Sequence, residues 1–486
     1  MDEYQDIDEP QYEMISAIAG RTLDDADQKL SILAVGDDDQ NIYTFRGANV
    51  QFIRRFQQDY EAEVHYLVEN YRSTRYIIEA ANRLIAANVD RMKTRHPIRI
   101  DRHRELLGPG GEFGRRDGLS QGKVQLIQVA DGACQAQAVL AEIRRLREIG
   151  VTDWSSMAVL SREHSDLAQV RTLAEKESIP VRWFAGRSST PPLHQIREIS
   201  CFLAQLEKAR NSFVRAADLS RLAAETSQSK DANPWTSFLF RLLEAWRDES
   251  GDAERPMQEA IEFLYEGCAE SRREFTYGEG VTLCTVHSAK GTEFDHVLLA
   301  GPWRLPPARV KQEEERRAFY VGLTRARKTL AVFDRDDVRP SLPETMSGAA
   351  ILRREFTGKT SEETRVFFNY QVLSLEDIHL GYPGWFGPRH PIHAALAALQ
   401  PGDKLHMARD QSGNLELRNA ASTPVARLSK RAQAEWATRL DAIKEVRFLA
   451  AVRRTADQEA DSARRDRLQA QTWEIPLVEI VSEQPA

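Results

Sequence analysis

Apolar residues in this chain fall into short runs and helix-period stretches. SILAVG (31–36) is an apolar run that passes at once into the polar loop DDDQ. That pattern predicts a buried parallel strand delivering side chains from its C-terminal end, where open α/β sheets bind ligands. Helices are expected at about 48–58 and 73–88, with HYLVEN (65–70) a strand between them. The glycine- and charge-rich stretch 108–122 reads as a flexible loop or a domain edge. VQLIQV (124–129), a helix over 133–148 and MAVLSR (157–162) then alternate as in a second parallel α/β domain. Residues 195–275 read as mostly helical. VTLCTVHS (281–288), HVLLAG (296–301) and TLAVFD (329–334) return to strand, with a helix over 315–326. Beyond 345 the pattern changes. Short alternating segments broken by PGD and SGN turns over 400–429 fit a small β-barrel. The charged, alanine-rich stretch 430–472 predicts a long helix or helical pair, and WEIPLVEIV (473–481) a last strand.

A length of 486 residues suggests about three domains. An apolar content of 42% is enough for sizeable cores. No run of eighteen apolar residues predicts a membrane span, and MDEYQDIDEP does not resemble a secretory signal. Four scattered cysteines without CxxC spacing argue against zinc and suit a reducing, cytoplasmic setting. A net charge of -7 excludes a protein basic all over, but not a local basic channel for nucleic acid.

Five segments carry candidate chemistry. Asp2 and Glu3 open DEYQD; one carboxylate at a strand end can hold a magnesium shell and the next can polarise a water, although an acidic pair alone is usually solvated surface. In GDDDQNIYTFRGAN (36–49), Gln40 can touch a phosphate, while Tyr43, Phe45 and Arg46 can stack bases and pair with phosphate; two core aromatics would look the same. NYRST (70–74) sets Tyr71, which can cover a purine, beside Arg72, which can act as an arginine finger; Ser73 or Thr74 can equally cap a helix. In HSAKGTEF (287–294), His287 and Lys290 can reach DNA phosphates and Glu293 can accept from a ribose hydroxyl. Arg325 and Arg327 follow an apolar helical stripe, where basic residues ordinarily complement the helix dipole.

Taken in order, these segments resemble the UvrD/Rep/PcrA group of superfamily 1 helicases. DEYQD is similar to its Walker B motif, GDDDQNIYTFRGA to motif III, NYRST to motif IV, HSAKGTEFDHV to motif V and EEERRAFYVGLTRA to motif VI. MAVLSREHSDL and IPVRWFAG match the segments after motif IV. The resemblance covers residues 1–200 and 280–335. It implies ATP and Mg2+ as cofactors, with Asp2 binding magnesium, Glu3 activating water and Gln40 sensing the γ-phosphate. Tyr71 would stack on adenine, Glu293 contact the ribose, and Arg72 and Arg325 act as arginine fingers. Tyr43 and Phe45 would stack single-strand bases, Arg46 couple the nucleotide and DNA sites, and His287 and Lys290 lie along the DNA path. Phe45 stands where many relatives carry tryptophan.

The sequence departs from the family pattern at its start. Walker B begins at residue 2, and no GxxxxGK[ST] occurs anywhere. The expected fold is therefore α/β, with RecA-like parallel-sheet domains of which the first is partial. Residues 1–66 are expected to form that partial domain, 67–200 with 280–340 the second, and 201–279 a reduced helical insertion. An accessory module with a small β-barrel is expected over 345–430, and a charged helical tail and final strand over 431–486. The expected activity of the intact protein is 3′-to-5′ ATP-dependent translocation on single-stranded DNA and at duplex junctions, in a bacterial cytoplasm and without membrane contact. The chain alone is expected to be ATPase-inactive, a piece whose other half lies on a longer polypeptide. A degenerate remnant that only binds DNA or a partner is the competing expectation.

Overall fold

The computed structural model describes residues 1–23, 29–44, 47–184, 190–226, 233–272, 275–358 and 367–483. The chain divides into two compact units. The first is Met1–Arg182 with Glu279–Arg365, and the second is Trp183–Gly278 with Val366–Ala486.

The first unit is built on parallel strands. They are β1 (Val124–Val129), β2 (Met157–Ser161), β3 (Val281–Thr285), β4 (Phe294–Leu299), β5 (Ala326–Arg335) and β6 (Ile351–Glu355). They lie in the order β6-β1-β5-β4-β2-β3, and every neighbouring pair is parallel. Strands buried on both faces need continuous apolar runs, and β2 and β3 are buried at every position. Helices α1 (Glu9–Ile18), α2 (Gln51–Asp59), α3 (Arg75–Ile85), α4 (Gly132–Glu148), α5 (His164–Lys176) and α6 (Arg309–Leu323) complete the unit. One core packs α3 and α6 on the sheet through Ile77, Leu84, Phe319 and Leu323. A smaller one gathers Tyr4, Tyr12, Phe52 and Phe56 between the start of the chain and α1 and α2.

Three expectations for this unit are corrected. SILAVG is not a regular buried strand. Residues 33–35 run beside residues 1–4, with Met1 N donating to Leu33 O (2.7 Å), Val35 N to Met1 O (2.8 Å) and Tyr4 N to Val35 O (3.0 Å). No strand lies on the other side among the described residues, and Leu33 and Val35 remain 75% and 45% exposed. HYLVEN contributes only Glu69–Asn70, paired with Arg99–Ile100. The stretch 108–122 is packed: Phe113 is buried in a short helix, and a Cβ on Gly122 would meet the Gly110 carbonyl oxygen at 2.5 Å.

In the second unit, helices Arg197–Lys208, Ala216–Thr226, Pro234–Ser250 and Met257–Ser271 bury Phe202, Trp235, Leu243 and Leu264 in one core. An antiparallel sheet follows, made of β7 (Phe368–Leu373), β8 (Lys404–Arg409), β9 (Leu415–Arg418), β10 (Pro424–Arg427), β11 (Ile443–Thr455) and β12 (Thr472–Glu483). Its order is β7-β12-β11-β8-β9-β10, so the 400–429 hairpins exist but the sheet is not closed into a barrel. The long helix expected over 430–472 is absent. A seven-residue helix (Lys430–Trp436) is followed by the thirteen-residue strand β11 and a four-residue helix (Ser462–Arg465). Val446, Phe448 and Ala451 bury in one core and Ala450 and Val452 in another, with the register shifting between Phe448 and Ala450; burial of both sides of the strand overrode the helical composition.

Candidate functional site

The pairing of residues 1–4 with 33–35 sets DEYQD against GDDDQ. Gln5 joins them: its Oε1 accepts from Asp37 N (2.9 Å) and its backbone oxygen from Asn41 Nδ2 (2.5 Å). Gly36 makes room for this, since a Cβ there would lie 2.7 Å from Gln5 Oε1. Glu3 sits in the left-handed region at φ 51°, and its carboxylate accepts from the Gln5 side-chain amide. Asp2 is exposed, with Oδ1 accepting from Glu3 N at 2.8 Å.

Lys290 points into this acidic corner. Its side chain is 6% exposed and pairs with Asp6 and, at 3.3 Å, with Glu3 Oε2. It also donates to the Gln40 carbonyl (3.0 Å). Gln40 in turn joins two motifs. Its Nε2 donates to Asp37 Oδ2 (2.9 Å), and its Oε1 accepts from Arg325 Nη2 (3.2 Å). Arg325 is buried and also donates to the Val321 and Thr292 carbonyls. Burial first, then the repulsion of nearby Arg72, lowers its guanidinium pKa to about 10, although Glu3 and Glu293 favour the charge. Arg72 pairs with Glu293 Oε1 at 2.5 Å, and its buried Nε has no hydrogen-bond partner. Glu3, Gln40, Arg72, Glu293, Lys290 and Arg325 thus meet in one place, drawn from five separated segments.

Residues that the sequence did not single out fix this corner. Asp39 accepts from Arg91 Nε and Nη2 (2.7 and 2.6 Å), Asp37 pairs with Lys93 at 2.5 Å, and Asp38 accepts from Met92 N (2.6 Å). The acidic run 37–39 facing the basic run 91–93 was the signal available for this clamp. Asp6 was also missed. Burial raises its pKa, against the opposing pull of Lys290. Replacing Lys290 with alanine should therefore move the Asp6 titration midpoint further up, read by carboxyl-carbon NMR. An unchanged midpoint would contradict the pairing.

Tyr71 is 66% exposed, its hydroxyl donating to Glu69 Oε2 (2.8 Å), so its ring faces solvent. Neither Ser73 nor Thr74 caps α3 through its side chain: Ser73 Oγ donates to the Ala326 carbonyl (2.6 Å), while Thr74 makes no cap bond. Tyr43 is half-buried. Its hydroxyl donates to His287 O (3.3 Å), and Lys290 Nζ lies 5.3 Å from its ring centre. His287 Nδ1 lies 3.5 Å from Arg162, which pairs with Glu315. Phe45 and Arg46 lie outside the described residues.

Residues 1–61 match the UvrD/REP helicase N-terminal domain, and residues 65–217 and 194–334 match the UvrD-like helicase C-terminal domain. The chain belongs to the UvrD/Rep/PcrA-like superfamily 1 helicases. It is 32% identical over 355 residues to the ATP-dependent DNA helicase UvrD2 of Mycobacterium tuberculosis, covering 68% of this chain and 46% of that protein. It is 27% identical over 404 residues to DNA helicase II of Haemophilus influenzae, covering 68% and 54%, and 26% identical to DNA helicase II of Escherichia coli, covering 68% and 55%. The chain therefore spans about half the length of the curated relatives it matches. Among the described residues, no helix is long and apolar enough to cross a membrane.

The site suits an anionic nucleotide and a hard cation. A buried guanidinium held beside a second one, with an orphaned Nε, is a pair that a bound polyphosphate would relieve. The exposed Asp2 offers the carboxylate oxygens that magnesium prefers.

Proposed function

We propose that the chain is the motor portion of an ATP-dependent DNA helicase that steps 3′-to-5′ along single-stranded DNA and opens duplex junctions. The observation that carries this reading is the meeting of Arg325 with Gln40 beside Arg72, Glu3 and Lys290. Residues 1–66 act as part of a first RecA-like domain, and 67–200 with 280–340 as the second. Residues 201–279 are a reduced helical insertion, and the accessory module spans 368–483, whose strands β7 to β12 share one sheet. Asp2 holds magnesium, which neutralises phosphate charge when bound. Glu3 takes the proton of the attacking water, and Gln40 reads the γ-phosphate position. Arg72 and Arg325 stabilise charge on the transferring group. Tyr71 covers the adenine and Glu293 accepts from the ribose once Arg72 turns to phosphate. Tyr43, Phe45, Arg46, His287 and Lys290 serve the DNA path, with Lys290 changing partners between the carboxylates and DNA. The cytoplasm, on nucleoid DNA, is the setting this activity requires.

The 486 residues contain no GxxxxGK[ST], so the β- and γ-phosphates lack their usual backbone cradle. The chain by itself accordingly has no useful ATPase activity. The same feature favours a second reading, a remnant that binds DNA without turnover. Fusing the upstream half of a relative, P-loop included, to this chain separates the two. The chimera should unwind a duplex with a 3′ single-stranded tail, using ATP and magnesium. A folded chimera that binds ATP and DNA yet never turns over would establish the remnant reading instead.

A further inference from the structure

The second unit carries an aromatic and basic face that the motor chemistry leaves unused. Residues 379–390 read HLGYPGWFGPRH. Tyr382 is buried and forms the base, its hydroxyl donating to Glu416 Oε1 (2.9 Å). Trp385 packs edge-on to His379 with ring centres 4.6 Å apart, and Phe386 stacks on His390 at 4.2 Å and 25°. Gly384 keeps the turn close: a Cβ there would meet Trp473 at 2.9 Å. The guanidinium of Arg467 lies 4.4 Å from the Trp385 ring centre.

The charges are not balanced evenly. Arg427 is answered by Asp410 and Glu416, and Arg464 leans on Asp461. The exposed Arg389 and Arg467 have no carboxylate partner among the described residues. Burial first, then the positive field of Arg427, Arg464 and Arg467, keeps His379 below its usual pKa. Its buried Nδ1 has no hydrogen-bond partner. Two half-buried aromatic rings thus lie in one short stretch with the exposed Arg389, and the Arg467 guanidinium sits over one of them.

We infer that this face, built from Trp385, Phe386, Arg389, His390 and Arg467, is a second contact for single-stranded nucleic acid. Bases stack on aromatic faces whatever their sequence, and arginine pairs with the adjoining phosphates. A duplex offers no free base face to such rings. A phosphorylated peptide would use the arginines but leave the aromatic faces without a role. The inference does not depend on the motor reading, because none of these residues belongs to the motor motifs.

The test uses the whole chain and a short fluorescein-labelled oligothymidylate. Trp385→Ala and Arg467→Glu should each weaken binding about five-fold or more, the lower end of what one base–aromatic stack contributes. Trp385→Phe should retain most of the affinity. Since Trp385→Ala could disturb folding, the unaltered chain is also crosslinked to a 4-thiothymidine oligonucleotide. Adducts should map to the peptide containing residues 385–390. Adducts confined to residues 1–182 and 279–365, with affinity unchanged in Arg467→Glu, would overturn the inference. So would a phosphopeptide competing as well as the oligonucleotide with no loss in Trp385→Ala. Tyr43→Ala, measured in parallel, reads the motor path separately. Binding lost in Trp385→Ala but kept in Tyr43→Ala would sustain this face while refuting the proposed DNA path.

Discussion

Replacing Arg325 with alanine, in a chimera carrying the upstream half of a relative, should cut ATP turnover by ~10³-fold or more, the scale of an arginine finger. The site geometry says why this residue should dominate. Arg325 is held by the carbonyls of Val321 and Thr292 and aimed at Gln40 Oε1, so its position is set before any nucleotide binds. Burial and the neighbouring Arg72 push its pKa down to about 10, which leaves it charged at neutral pH at a cost. A developing negative charge removes that cost, and the interaction therefore favours the transition state over the resting site. Nucleotide affinity should change much less, since P-loop amides supply most of the ground-state contacts. Arg325→Lys serves as the fold control: it keeps a cation but loses the fork that spans Gln40 and the two carbonyls. Turnover near that of the parent chimera in Arg325→Ala, with nucleotide affinity intact, would remove Arg325 from the chemistry.

The parallel-sheet half was legible because its strands are apolar runs bounded by turns. β1, β2 and β3 begin at the predicted residues, and HSAKG follows the end of β3. The first strand was misread because SILAVG has the composition of a buried strand but too little neighbouring structure to bury it. β11 was misread for the opposite reason. Lys444, Glu445, Arg447, Arg453 and Arg454 with two alanines look helical, yet the strand is buried against two cores and pairs with β12 along its length. The site residues were legible as members of motifs, but their partners were not. Nothing in HSAKG says that Lys290 turns toward Asp6, because that depends on where two segments far apart in sequence are brought by folding. Arg91 and Lys93 were missed for the same reason, although their charges complement Asp37 and Asp39.

A large effect is also expected far from the site, in a buried ion cluster under α4. Arg145 pairs with Asp117 (2.8 Å) and Glu142 (2.7 Å), whose side chains are only 1% and 2% exposed. Glu142 is also held by Arg354 (2.7 Å) and by Gln125 Nε2 (2.6 Å). Removing one partner of a buried pair leaves the other charge without compensation, a loss of roughly 3–5 kcal/mol. Arg145→Met should fall near the lower end, about 3 kcal/mol, because Arg354 still serves Glu142 and Ser120 still donates to Asp117. The acid limb of the stability curve identifies the carboxylate involved. Burial alone would raise the Asp117 pKa, but Ser120 and Arg145 together outweigh it and hold it below the usual value. A depressed folded-state pKa gives stability that is present above the unfolded value, roughly 4, and lost as pH falls through the folded value. Without Arg145 the Asp117 pKa should rise, so the variant should be less stable near neutral pH yet lose less on acidification. Urea denaturation of both proteins at neutral pH and at about pH 3 measures both quantities. Equal stability at neutral pH, or an acid limb unchanged in the variant, would show that Arg145 does not hold Asp117 in its charged form.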